Sequence, residues 1–194
     1  MFNFGRAAGL GAVAALALGV SVATVEAATV DVYASGSSNV VGGTNAGVIP
    51  ARSNVGNAYG AADGKFYSLG LGGTATFTFA PAHLIGSPGN VVEITNGVRD
   101  GHVESIAIYG ILGMVETFLG NVTNTALSTA FTFTGSYTAL KFVDTSVATA
   151  SQIAKGRDGF DIDSITVAAV PLPAGGLLLL GALGGIAGLR RRKA

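Results

Sequence analysis

The densest group of side chains able to do chemistry is acidic. Asp158, Asp161 and Asp163 fall within the short run DGFDID. On a strand Asp161 and Asp163 share one face, opposite Phe160 and Ile162. Carboxylates near a strand end, joined by Asp63 and Asp144 from neighbouring turns, can supply the hard oxygen ligands that calcium prefers. Asp63, Asp144, Asp161 and Asp163 are therefore the candidate metal ligands. Spacing alone does not require an ion. DGFDID lacks the EF-hand pattern, with no glutamate at the twelfth position, and Asp-Gly at 63, 100 and 158 is ordinary turn chemistry. Solvated turn aspartates account for the same residues.

Catalytic groups are sparse. The two histidines, His83 and His102, follow turn signals and stand in no HExxH motif. No GxSxG elbow is present. Glu93, Glu104 and Glu116 offer the carboxylates a glycosidase pair would need, but any acidic sandwich presents such pairs by chance. Tryptophan, a frequent sugar-stacking residue, is absent. Tyr33, Tyr59, Tyr67, Tyr109 and Tyr137 can act as stacking platforms or as core and edge packing. With no cysteine, disulfides, thiol nucleophiles and thiolate metal sites are excluded. The expectation is a protein that is not an enzyme.

The elements that must position these residues are short. Thr74 to Phe79 alternates threonine with apolar residues, the period-two signature of a half-buried strand. Ala130 to Thr134 repeats the device. Further strands are expected at Val30–Tyr33, Lys65–Leu71, Val91–Thr95, Glu104–Ile111, Met114–Leu119, Leu140–Asp144 and Phe160–Val167. In the last, Ile165 and Val167 share the parity of the aspartates. This implies either a bulge near Ser164 or a central strand covered on both sides. Eight or nine strands separated by turn residues predict an all-β, antiparallel β-sandwich of jelly-roll type. A β-helix would want a fixed repeat, and none is visible. Val40 to Ala62 is the least regular stretch, with five glycines and three asparagines. A long loop in a compact domain is a candidate binding element or surface decoration.

Both termini differ in character from this body. Residues 1–27 carry one cation, Arg6, then an apolar run and small residues ending at Ala27. That is the pattern of a secretory signal peptide, its helix cut after Ala27, or else of an uncleaved N-terminal anchor; either exports the body. The body spans 28–169. Between Ala28 and Val170 six cations face ten acids, leaving it at minus four. This argues against nucleic acid as a partner, because binding a phosphate backbone needs clustered cations.

From Pro171 to Leu189 the chain has no charged residue over 19 positions, close to the roughly 20 that cross a bilayer as a helix. Gly181, Gly184, Gly185 and Gly188 share one face of it. The cations Arg190, Arg191, Arg192 and Lys193 follow at once and would stay on the cytoplasmic side. Ahead of the span, Val170-Pro171-Leu172-Pro173-Ala174 is held extended by its prolines. A membrane-embedded processing enzyme could grip such a peptide in strand-like fashion, or Pro173 simply opens the helix.

The order VPLPA, glycine-leucine span and RRRK over 170–194 resembles the VPLPA variant of the PEP-CTERM sorting signal of Gram-negative bacteria. The resemblance implies recognition by an exosortase, transient anchoring in the inner membrane, and delivery to the cell surface or beyond it. A second resemblance covers most of the body. It rests on Asn57 to Phe66 (NAYGAADGKF), Ser68 to Gly73 (SLGLGG), Leu140 to Ser146 (LKFVDTS) and Asp158 to Asp163. These look like the bodies of many PEP-CTERM surface proteins, which are similar to galactose-binding-like jelly rolls. Related jelly rolls often hold a structural calcium. The implied role is a structural or adhesive component of the extracellular polymer or biofilm layer. The rivals are a calcium-stabilised carbohydrate-binding module, touching extracellular polysaccharide through Val40–Ala62, and a secreted hydrolase.

Overall fold

The computed structural model describes residues 30–46, 48–80, 85–93 and 101–169. The expected signal segment, with its cut at Ala27, and the sorting tail from Val170 onward lie outside these residues. So do His83, Arg99 and Asp100. Among the described residues no helix is long and apolar enough to cross a membrane.

Among the described residues nine strands form: β1 (Val30–Val41), β2 (Tyr67–Ser68), β3 (Thr74–Phe79), β4 (Ile85–Glu93), β5 (Ser105–Leu112), β6 (Val115–Thr123), β7 (Ser128–Phe131), β8 (Ala139–Asp144) and β9 (Asp161–Ala169). A short helix, α1, covers Ala150–Ala154 and begins at a Thr149–Gln152 capping box. Every strand pairing is antiparallel. The path runs β6-β5-β8-β3-β1-β9-β4-β7, with β2 added on β9. The joint between the two layers is β1. Its first part, Val30–Tyr33, pairs with β9, and from Ala34 onward it pairs with β3. The register slips between Ala34 and Gly36, a bulge that lets one strand turn from one sheet into the other. Between the layers lies one core, in which Phe77 of β3 meets Phe142 of β8 edge-on at 5.4 Å.

β3 begins and ends where the threonine alternation predicts. Elsewhere the limits move. β1 runs on to Val41, into the stretch expected to be irregular. β4 starts at Ile85, because the ladder tolerates Pro88 within a register slip between Gly86 and Gly89. The alternation expected at Ala130–Thr134 is only partly strand. Phe131 ends β7, and Phe133 stacks on it at 5.8 Å, beside Tyr137.

β9 is central, with β1 and β2 on one side and β4 on the other. Of its nine residues only Thr166 is not buried. Its register slips across Asp163: Ser164 pairs with Val92, and Ile162 with Glu93. Both explanations of its odd apolar phase, a bulge and two-sided burial, hold together.

Candidate functional site

The acidic residues of β9 and its neighbours separate into two kinds. Asp144 and Asp163 are consumed by the fold. Asp144, at the end of β8, accepts from Gly72 N (3.0 Å), Ser146 N (3.1 Å), Ser146 Oγ (2.7 Å) and Phe160 N (2.8 Å). Asp163 accepts from the backbone of Asp63 (3.0 Å) and Gly64 (3.1 Å), pinning that turn onto the central strand. Asp63 itself is exposed and accepts from the Lys65 backbone and ammonium. These bonds hold its carboxyl below the ordinary aspartate range.

Asp161 belongs elsewhere. As the first residue of β9 it pairs in register with Ser68 of β2. It stands with Glu93, the last residue of β4, and Glu104, which leads into β5. One carboxylate oxygen from each lies within 4.8 Å of the others, and all three residues are buried. Glu104 is fixed by a reciprocal pair of bonds with Asn124, Glu104 N to Asn124 Oδ1 at 3.1 Å and Asn124 N to Glu104 O at 3.0 Å. Around the cluster, His102 Nε2 is 3.7 Å from Glu104 Oε1 and 3.0 Å from the Asp158 carbonyl, while Nδ1 faces the Val147 carbonyl at 3.3 Å. Asp158 accepts from Ser68 Oγ at 3.0 Å and pairs with Arg52 at 3.4 Å. Burial, followed by the negative charges of Asp158 and Glu104, pushes the Asp161 carboxyl up to about 8.

Of the four aspartates expected to gather as ligands, Asp63 and Asp163 are thus joined through a backbone contact and Asp144 caps its own turns. Asp161 meets two glutamates instead. Those glutamates were legible only as members of a hydrolase pair. They do come together, but 1% and 6% exposed, where no glycosidic bond could reach them. Glu116 lies apart on β6, paired with Lys141 at 2.9 Å.

A second site is open to solvent. Two 3₁₀ turns, Pro50–Arg52 and Val55–Ala58, shape the stretch after β1. All three of its asparagines hold backbone. Asn45 Nδ2 donates to Ile153 O and Arg157 O, Asn54 caps Gly56 N, and Asn57 Nδ2 donates to Ala51 O and Phe66 O. At Gly43 a side chain would collide with the Leu71 carbonyl, so only glycine lets these backbones pass. The result is a hollow of about 540 Å³, walled by Pro50, Arg52, Asn54, Asn57, Lys65 and Phe66. The Arg52 guanidinium lies 4.7 Å over the half-buried Phe66 ring. The aromatic member is therefore a phenylalanine just outside the expected loop, whereas Tyr67 and Tyr137 are core residues.

No family model matches the chain, and no curated protein matches it. Among solved structures it is similar to a family 32 carbohydrate-binding module of C. perfringens NanJ in complex with galactose. That likeness has 14% identity, covers 72% of this chain and 99% of that one, and has a TM-score of 0.47. It is also similar to the family 32 module of AlyQ in complex with 4,5-unsaturated mannuronic acid (14% identity, 53% and 74% covered, TM-score 0.36). A third is the second family 32 module of a GH31 protein bound to GalNAc (12% identity, 73% and 98% covered, TM-score 0.36). At these values no ligand, residue or activity passes from those proteins to this chain, and the sandwich stands on its own strand pairing.

Proposed function

We propose that this chain is an exported surface protein whose sandwich holds extracellular polysaccharide without cleaving it, as an adhesive component of the surrounding polymer layer. The observation that carries this reading is the hollow between Pro50 and Phe66. A pyranose has an apolar face and a rim of hydroxyls. A half-buried aromatic ring beside amide and cationic side chains complements both. Arg52 and Lys65, paired with Asp158 and Asp63, add N–H donors to the rim that suit sugar hydroxyls. Delivery belongs to the VPLPA tail and an exosortase partner, with transient anchoring in the inner membrane of a Gram-negative cell.

A glycan array followed by calorimetric titration with the full chain tests the binding role. A selective, saturable hit weakened tenfold or more by Phe66→Ala is the expected result. No hit, or one indifferent to Phe66→Ala, would sink it. A second reading, adhesion through self-association, is favoured by the β5–β6 hairpin, which leaves Leu112, Met114, Val115 and Phe118 exposed. Sedimentation that shows a concentration-dependent oligomer, abolished by Met114→Glu, would select it; a monomer at all concentrations would remove it.

A further inference from the structure

Three buried carboxylates of this fold are given donors. Asp144 and Asp163 each accept backbone N–H bonds, and Asp158 has Ser68 and Arg52. Asp161 is 0% exposed, yet among the described residues neither of its carboxylate oxygens has a hydrogen-bond partner. A buried carboxylate is tolerated only when something positive or protic meets it. What faces Asp161 is two more carboxylates, Glu93 and Glu104.

The geometry of the three fits a particular kind of ion. Calcium binds oxygen at 2.3–2.6 Å, so two ligand oxygens on opposite sides of it stand about 4.6–5.2 Å apart. The three oxygens here all fall within 4.8 Å of one another, inside that limit. Magnesium dehydrates reluctantly and keeps several waters, and so suits a buried cage of three carboxylates less well. The donor set is oxygen only. The nearby His102 turns both ring nitrogens toward carbonyl oxygens, and a chain without cysteine has no thiolate to offer. Zinc and copper sites are built from those missing ligands. Three carboxylates binding through both oxygens would supply as many as six of the six to eight ligands that calcium takes.

We propose that Glu93, Glu104 and Asp161 bind a calcium ion inside the sandwich. The ion joins the end of β4, the start of β5 and the start of β9, and so ties both sheets together at one edge. It takes no ligand from the Asp63 turn, where exposed acid and Lys65 already pair. Nothing in this assignment depends on what the hollow binds.

The test uses the full chain in mild detergent at pH 7.5, with calcium or chelator, and reads bound metal by mass spectrometry and stability by thermal melting. The expected result is one calcium per chain and a melting temperature raised by roughly 5–10 °C when calcium is in hundredfold excess over its Kd. Asp161→Asn, which keeps the shape and removes the charge, should abolish both responses. Asp63→Asn should leave both intact. Should Asp161→Asn fail to fold, Glu104→Gln carries the same comparison. Absence of bound calcium with identical melting in chelator overturns the proposal, and so does a calcium response that survives Asp161→Asn. A response lost in Asp63→Asn but kept in Asp161→Asn would move the ion to the exposed turn and equally overturn it. Stabilisation by magnesium and not calcium would overturn the identity of the ion.

Discussion

Asp144 shows what one carboxylate can organise. It is buried and gathers donors from Gly72, Ser146 and Phe160, three separate places in the chain. Asp144→Ala would strand these donors in the interior, at a cost of about 2–4 kcal/mol, readable as a lower midpoint in urea. Asp161 makes the opposite prediction. Its carboxyl titrates near 4 in the unfolded chain and at about 8 in the folded one. Between those values the folded state holds a proton that the unfolded state has lost. In chelator, stability should therefore fall as pH rises from about 4 to about 8. Asp161→Asn should flatten that slope in melts taken across the window. A slope unchanged in the variant would show that other groups govern it. At this scale the sequence pointed to Asp161 by its density of acids. It could not supply Glu93 and Glu104, which lie some sixty residues earlier: Glu93 arrives through the β4–β9 ladder and Glu104 from the other sheet, at the start of β5.

Strands were legible where one face is wet. β3 and β8 follow period-two patterning and fall where it places them. β4 was half missed because glycine and proline read as punctuation. There Gly89 lies under the Phe131 ring, and on β5 Gly110 lies against Tyr137. Each aromatic ring covers a strand glycine on a neighbouring segment, a packing device that no local pattern reveals. Gly110→Ala would push a methyl into the Tyr137 ring and should destabilise the fold by about 1–3 kcal/mol in urea denaturation. An unchanged midpoint would mean that the ring moves aside freely. The irregular stretch after β1 was recognised by its glycines and asparagines, but Asn45 anchors it to carbonyls more than a hundred residues away, while Asn54 and Asn57 hold it locally.

For the whole molecule, the proposed export signal and sorting tail make a prediction about fate. Intact-mass analysis of the mature protein from its native bacterium should give a form that begins near Ala28 and ends near Val170–Ala174. A strain lacking the exosortase should keep Arg190 to Lys193 in its membrane fraction. Retention of Ala194 in both strains would make the tail a permanent anchor. By itself the sequence determined the all-β class and the acidic, cysteine-free composition of the body. Each of these is written in local composition or in a period of two. The tertiary structure alone decided which acids meet and which are spent on turns. It also turned β1 from one sheet into the other and built the hollow beside Phe66. These outcomes depend on the register between distant strands, where a slip of one residue at Asp163 gives the two aspartates of β9 different neighbours.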